Sequence, residues 1–175
     1  MKRSLSVFHS IQTNGIGLNE AWASFFKANS FLVGLSLDGT QEVHDLYRLD
    51  AAGHGTWDRA THTLGLLDAY GVETNLLCVV TGQLARKPQR AFQSLCALGR
   101  HNLQFIPCLD PLDTVGRQAY SLTPELYGRF LCGVFDVWYQ QLQQGNYVSV
   151  RNFEDYLRIL LGMPVSYTHL RAHET

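Results

Sequence analysis

Four short segments concentrate the side chains that could do chemistry: SIQTNG (Ser10 to Gly15), FLVGLSLDG (Phe31 to Gly39), HDLYR (His44 to Arg48) and LQFIPCLDPL (Leu103 to Leu112). In each, an apolar run gives way to polar groups. Gln12 and Asn14 bring amides, Ser36 a hydroxyl and Asp38 a carboxylate. Arg48 brings a planar fork that pairs with a carboxylate or phosphate through two parallel hydrogen bonds. Polar groups leaving an apolar strand are where α/β proteins place ligand contacts. Asn-Gly and Asp-Gly are also ordinary turn formers. The pattern by itself leaves ligand binding and plain turns both open.

Metal and nucleophile chemistry find less footing. The cysteines Cys78, Cys96, Cys108 and Cys132 are scattered, none within ten residues of another. No CxxC pair or zinc-ligand spacing exists, so four small buried hydrophobes are the expected reading. His44, His54, His62 and His101 stand apart from one another and from any suitable base or ligand partner, as surface or core histidines do.

These segments need elements to hold them. Ser4 to Ile11 reads as a strand, followed by Asn14-Gly15. Asn19 caps a helix from Glu20 to Ala28, with Trp22, Phe25 and Phe26 on one face. Phe31 to Ser36 is nearly all apolar, as in a parallel strand buried on both faces. A charged loop, Asp38 to Gly55, leads to a helix capped by Thr56 and ended by Gly71. Val72 to Val80, with LLCVV, is the third strand. Pro88 to Leu98 is a helix closed by Gly99, and Leu103 to Leu109 the fourth strand. Thr123-Pro124 opens a long helix that runs to about Gln144. Val148 to Val150 and Phe153 to Leu161 give a last strand and helix. This βα alternation predicts an α/β fold with a parallel sheet. It does not separate an open doubly wound sheet from a closed or partial barrel, but either puts sites at the C-terminal strand ends.

Composition sets outer bounds. The 175 residues are 46% hydrophobic and 17% charged, with 14 basic and 15 acidic residues. That length is one ordinary domain, short of the roughly 200 or more residues of a complete β/α barrel. A net charge of -1 gives no basic footprint for nucleic acid. No apolar run approaches the ~20 residues of a membrane span, and MKRSLSVFHS lacks the apolar stretch of a signal peptide. A cytoplasmic setting without nucleic-acid or membrane partners is the expectation.

The character changes after Gly162. Val165 to Thr175, VSYTHLRAHET, has no apolar period. It resembles the translation of a sequencing-library adapter, a transposon end whose reading frame gives Val-Ser-Tyr-Thr-His-Leu, with Pro164 completed by its first bases. The expected organisation is therefore residues 1–164 as the native part and 165–175 as a non-native, disordered tail that packs against nothing. His169 and His173, at i and i+4, carry no metal reading on that view.

Taken in order, QTNG, FLVGLSLDG, HDLYR, TNLLCVVT and LQFIPCLDP, continuing through CGVFDVWYQQLQQGNYVSVRNFEDYL, resemble the anaerobic sulfatase-maturating enzymes, a radical S-adenosylmethionine family. The resemblance runs from about Leu5 to Gly162. It implies a partial β/α (TIM-like) barrel, here without its first strands. It implies a parent that oxidises a cysteine or serine of a sulfatase to formylglycine, using S-adenosylmethionine and 4Fe-4S clusters. Ser36 and Arg48 match positions expected to hold the methionine end of S-adenosylmethionine, and Leu109 one expected to touch adenine. Gln12 and Asn14 are placed to line the cofactor or peptide cavity, and Asp38 to close a turn. The departures are equally specific. The CxxxCxxC that binds three irons of the cluster is missing. So are the glycine-rich turn and the cysteine-rich C-terminal (SPASM-type) domain. The chain is thus expected to be an internal piece, inactive alone, with no metal ligands, no catalytic residue and no bound cofactor of its own. The alternatives are a piece of another peptide-modifying radical maturase, a non-catalytic α/β binding domain, or an unrelated small α/β enzyme.

Overall fold

Five parallel strands, each hydrogen-bonded to the strand before it in the chain, form one sheet in the order β1-β2-β3-β4-β5. The structure is a computed structural model describing residues 7–111, 116 and 118–164. Its elements are β1 (His9–Thr13), α1 (Glu20–Ala28), β2 (Phe31–Ser36), α2 (Gln41–Tyr47), α3 (Trp57–Ala69) and β3 (Glu73–Val80). A 3-10 turn (Leu84–Arg86), α4 (Pro88–Cys96), β4 (Asn102–Pro107), α5 (Pro124–Gln143), β5 (Ser149–Val150) and α6 (Arg151–Leu160) follow. The tail from Val165 and the expected first residues of β1 lie outside the described residues.

The strand order settles what alternation left open. Parallel crossovers are right-handed, so a sheet that always adds its next strand on the same side puts every helix on the same face. Val33, Leu35, Leu76, Cys78, Val80, Leu103 and Phe105 point to that face and are buried. They pack against Phe26 of α1, Leu64 and Leu67 of α3, Phe92 and Leu95 of α4, Phe130 and Val134 of α5 and Phe153 of α6. The other face carries the rows Gln12–Gly34–Asn75 and Ser36–Leu77–Gln104. A helix-clad outer face and an uncovered inner face with polar rows are a segment of a β/α barrel.

Two expectations need correction. β2 is not buried on both faces: Leu32, on its inner face, is exposed and Ser36 half-buried. The charged stretch Asp38 to Gly55 is not all loop, because it contains α2, whose Val43 and His44 are buried. Seven residues are too few for a clear helical period, and the charges of Glu42 and Asp45 mask the apolar side.

The capping signals fare unevenly. Asn19 accepts from Trp22 N–H at 3.2 Å and Thr123 from Leu126 N–H at 3.2 Å, both as read from sequence. Thr56 makes no cap bond; Asp45 of α2 reaches across and accepts from Trp57 N–H at 2.9 Å. That frees the Thr56 hydroxyl for another task.

Candidate functional site at the C-terminal rim

The C-terminal ends of β1 to β4 meet along one rim. Leu37 N–H donates to Leu77 C=O at 3.0 Å and Cys108 N–H to Val80 C=O at 3.0 Å, so the rim loops leave the sheet in step. Gln12 lies on the inner face of β1 beside Gly34. No side chain stands between them, because a Cβ on Gly34 would come 2.8 Å from Leu77 Cδ1 and 3.4 Å from Gln12 Cγ. Asn14 follows β1, and its Oδ1 accepts from Ile16 N–H at 3.0 Å, which fixes the turn. Ser36 ends β2 on the inner face, and among the described residues its hydroxyl has no hydrogen-bond partner.

Arg48, just past α2, folds back onto the rim. Its Nε and Nη2 both donate to the Asp38 carboxylate, the second at 3.2 Å. Asp38 is buried, and its Oδ1 also accepts from Val79 N–H of the neighbouring strand at 2.8 Å. The Asp38 N–H donates to His44 Nδ1 at 3.2 Å. His44 Nε2 lies 3.1 Å from Thr56 Oγ1, and that hydroxyl donates to Arg48 C=O at 2.8 Å. A hydroxyl has one proton, so Nε2–H must be the donor in the His44–Thr56 bond and the imidazole is neutral. Burial pushes the His44 pKa down; the nearby Asp38 carboxylate opposes that, and Arg48 adds to it.

Arg48 and Asn14 share an opening of about 450 Å³ with Ile16, Tyr47, Leu49 and Thr56. Two of the five guanidinium N–H groups go to Asp38, leaving three for a ligand. Ser36, Asn14, Arg48 and Gln12 therefore belong to one rim and its inner face, as expected from sequence. Leu109 stands one residue beyond Cys108 on the same rim, but its side chain is 81% exposed and joins no core.

Cys78 is buried and Cys96 and Cys108 are half-buried, but Cys132 on α5 is exposed, so the expectation of four buried thiols holds for three at most. All four are free, and the Cys78 and Cys108 thiols are pushed up in pKa chiefly by burial. Among the described residues no group of three His, Cys, Asp or Glu side chains could hold a metal ion. Sequence reasoning counted Asp38 among the candidate groups but assigned it to a turn, and it missed His44 and Thr56. Asp38-Gly39 looked like a turn, His44 an isolated histidine and Thr56 a cap. The signal available was the i, i+4 spacing of His44 and Arg48, which puts both on one side of α2.

No protein-family model matches the chain. The cysteine-type anaerobic sulfatase-maturating enzyme of Clostridium novyi is 47% identical over 161 residues, covering 91% of this chain and 43% of that protein. A solved structure of native anSMEcpe with bound AdoMet and Kp18Cys peptide superposes with a TM-score of 0.88 at 43% identity, over 93% of this chain and 45% of that one. The chain is a homologue of the anaerobic sulfatase-maturating enzymes. The serine-type anaerobic sulfatase-maturating enzyme of Klebsiella aerogenes is more distant, at 34% identity over 150 residues, 86% of this chain and 36% of that protein. The chain spans less than half the length of these sulfatase-maturating relatives. The five-stranded sheet corresponds to that shared part, as the sequence resemblance implied.

Proposed function

We propose that these residues form the S-adenosylmethionine-receiving part of a radical maturase that oxidises a sulfatase side chain to formylglycine. The observation that carries this reading is the 0.88 TM-score at 43% identity to a chain solved with AdoMet bound. Ser36 and Arg48 receive the methionine carboxylate, Leu109 contacts adenine, and Gln12 and Asn14 line the cavity between cofactor and peptide. The donor set suits this. The unpartnered Ser36 hydroxyl and the three remaining Arg48 N–H groups are what a carboxylate seeks.

The 4Fe-4S cluster is a different matter. No CxxxCxxC occurs in the 175 residues, and no metal-ligand group occurs among the described ones. The residues present do not fit a cluster. The parent's partner is a sulfatase polypeptide. Greater identity to the cysteine-type relative, 47% against 34%, favours cysteine as the target. The parent acts in the cytoplasm; no described helix is long and apolar enough to cross a membrane.

A chimera tests this. The matched segment of the Clostridium novyi enzyme is replaced by this chain's, the cluster is reconstituted anaerobically, and peptides bearing cysteine or serine are analysed by mass spectrometry. Formylglycine from the cysteine peptide is expected. A folded, iron-loaded chimera that binds no S-adenosylmethionine overturns the reading.

A further inference from the structure

A guanidinium has two edges able to grip a carboxylate: the side-on pair Nε and Nη2, and the end-on pair Nη1 and Nη2. In Arg48 the side-on edge is taken by Asp38. Asp38 cannot follow Arg48 outward, because its Oδ1 is also tied to Val79 N–H at 2.8 Å and the side chain is 7% exposed. The backbone of Arg48 is held separately, by the Thr56 hydroxyl on its C=O and by its own N–H donating to His44 C=O at 2.8 Å. His44, 1% exposed, links the two anchors: Nε2 orients Thr56 while Nδ1 accepts the backbone N–H of Asp38. The contacts form a closed ring through Asp38, Arg48, Thr56 and His44.

Such a ring does more than hold α2 to the sheet. A simple fastening of α2 needs only one bond between the two parts. Here both the main chain and the side chain of one arginine are fixed, and among the described residues its end-on edge has no partner. We infer that Asp38 and His44 are positioning residues that aim the end-on edge of Arg48 at a ligand carboxylate on the rim. They do so without touching the ligand. The assignment rests on the proposed S-adenosylmethionine site, whose methionine end supplies that carboxylate.

The test uses the reconstituted chimera and two ligands. S-adenosylmethionine carries the carboxylate. Methylthioadenosine keeps the adenosine and sulfur but lacks the amino-acid end. Asp38→Asn keeps an acceptor for Val79 N–H and loses the charged grip on Arg48. It is expected to weaken S-adenosylmethionine binding about tenfold and leave methylthioadenosine unchanged. His44→Leu should do the same, and His44→Gln, which keeps a donor for Thr56, should restore part of the loss. In an Arg48→Ala background, Asp38→Asn should add nothing, since its effect passes through the arginine. Equal losses for both ligands, or a full additional loss in the Arg48→Ala background, would show a fastening role only and overturn the assignment. If His44→Leu does not fold, Thr56→Val breaks the same link and is read the same way. Arg48→Ala with unchanged S-adenosylmethionine affinity would instead sink the proposed site, and the positioning role with it. An effect of Arg48→Ala with none of Asp38→Asn overturns the positioning role alone.

Discussion

Asn152 stands opposite Phe105 as a strand residue would, but with its side chain: Oδ1 accepts from Phe105 N–H at 2.9 Å and Nδ2 donates to Phe105 C=O at 3.0 Å. β5 pairs with β4 only through Asn102–Ser149 and Leu103–Val150. The Asn152 amide extends that ladder after the main chain has turned into α6.

Asn152→Ala should therefore destabilise the chain by about 1–3 kcal/mol, the range for leaving a part-buried backbone donor unsatisfied. Phe105 C=O keeps the Tyr127 hydroxyl at 2.9 Å, so the N–H bears most of the loss. Urea denaturation measures the difference. A midpoint unchanged from the parent would mean that solvent already serves Phe105.

Stability should fall on mild acidification. The folded pKa of His44 is lowered by burial from the ordinary 6.5, so below pH 6.5 the unfolded chain binds more protons than the folded one. Stability rises with pH wherever the unfolded state holds more protons. The His44 contribution is thus complete above about pH 6.5. It is lost progressively as pH drops below it, until the lowered folded pKa is passed. Thermal melts of the parent and His44→Gln between pH 5 and 8 should diverge on the acid side. Parallel curves would remove His44 as the cause.

Gly15→Ala should destabilise the rim. Gly15 has a φ of +77°, and a Cβ there would sit 2.7 Å from Leu35 Cδ1 and 3.3 Å from Thr63 Cγ2. Its C=O accepts from the Thr63 hydroxyl at 2.7 Å, so the turn that presents Asn14 is bolted to α3. Strain and crowding together predict a loss of at least about 1 kcal/mol. A melting temperature equal to the parent's would contradict the turn geometry.

Purified chain should hold no iron–sulfur cluster after anaerobic reconstitution, because it has no CxxxCxxC. Iron and acid-labile sulfide assays decide this. Contents approaching a full 4Fe-4S complement per chain would refute it.

The β1 edge should drive self-association. Among the described residues β1 pairs with β2 alone, and Val7 and Phe8 before it and Ile11 within it are exposed. Unpaired strand edges recruit other chains. Ile11→Lys should reduce the aggregated fraction in light scattering. A monomeric parent with a sharp thermal transition would show that the edge is harmless.

Most of the sheet was legible in the sequence because its outer face is written in apolar runs such as FLVGLS and LLCVV, the first followed closely by Asp38-Gly39 and the second lying between Gly71 and Gly82. The bounds of α1 and the start of α5 were legible because Asn19 and Thr123 act as caps. α2 was not, since a seven-residue helix barely completes two turns. The ring around Arg48 was illegible for another reason. It joins Asp38 to Val79 across two strands, which depends on strand order, and His44 to Thr56 through the packing of α2 against the start of α3. Gln12, Asn14, Ser36 and Arg48 could be assigned to one rim from alternation alone, but not the partner that grips Arg48.

The order β1-β2-β3-β4-β5 also bears on how this sheet is made. Each new strand docks on the one synthesised just before it, so no strand waits for a partner beyond the next strand in the chain. Assembly can then keep pace with the ribosome, from the amino terminus onward. Each pairing still spans a whole crossover, as between Leu32 and Glu73, and such non-local parallel contacts are slow to form. Asp38 gains its Val79 anchor only when β3 arrives, so the arginine clamp sets during the third strand's docking.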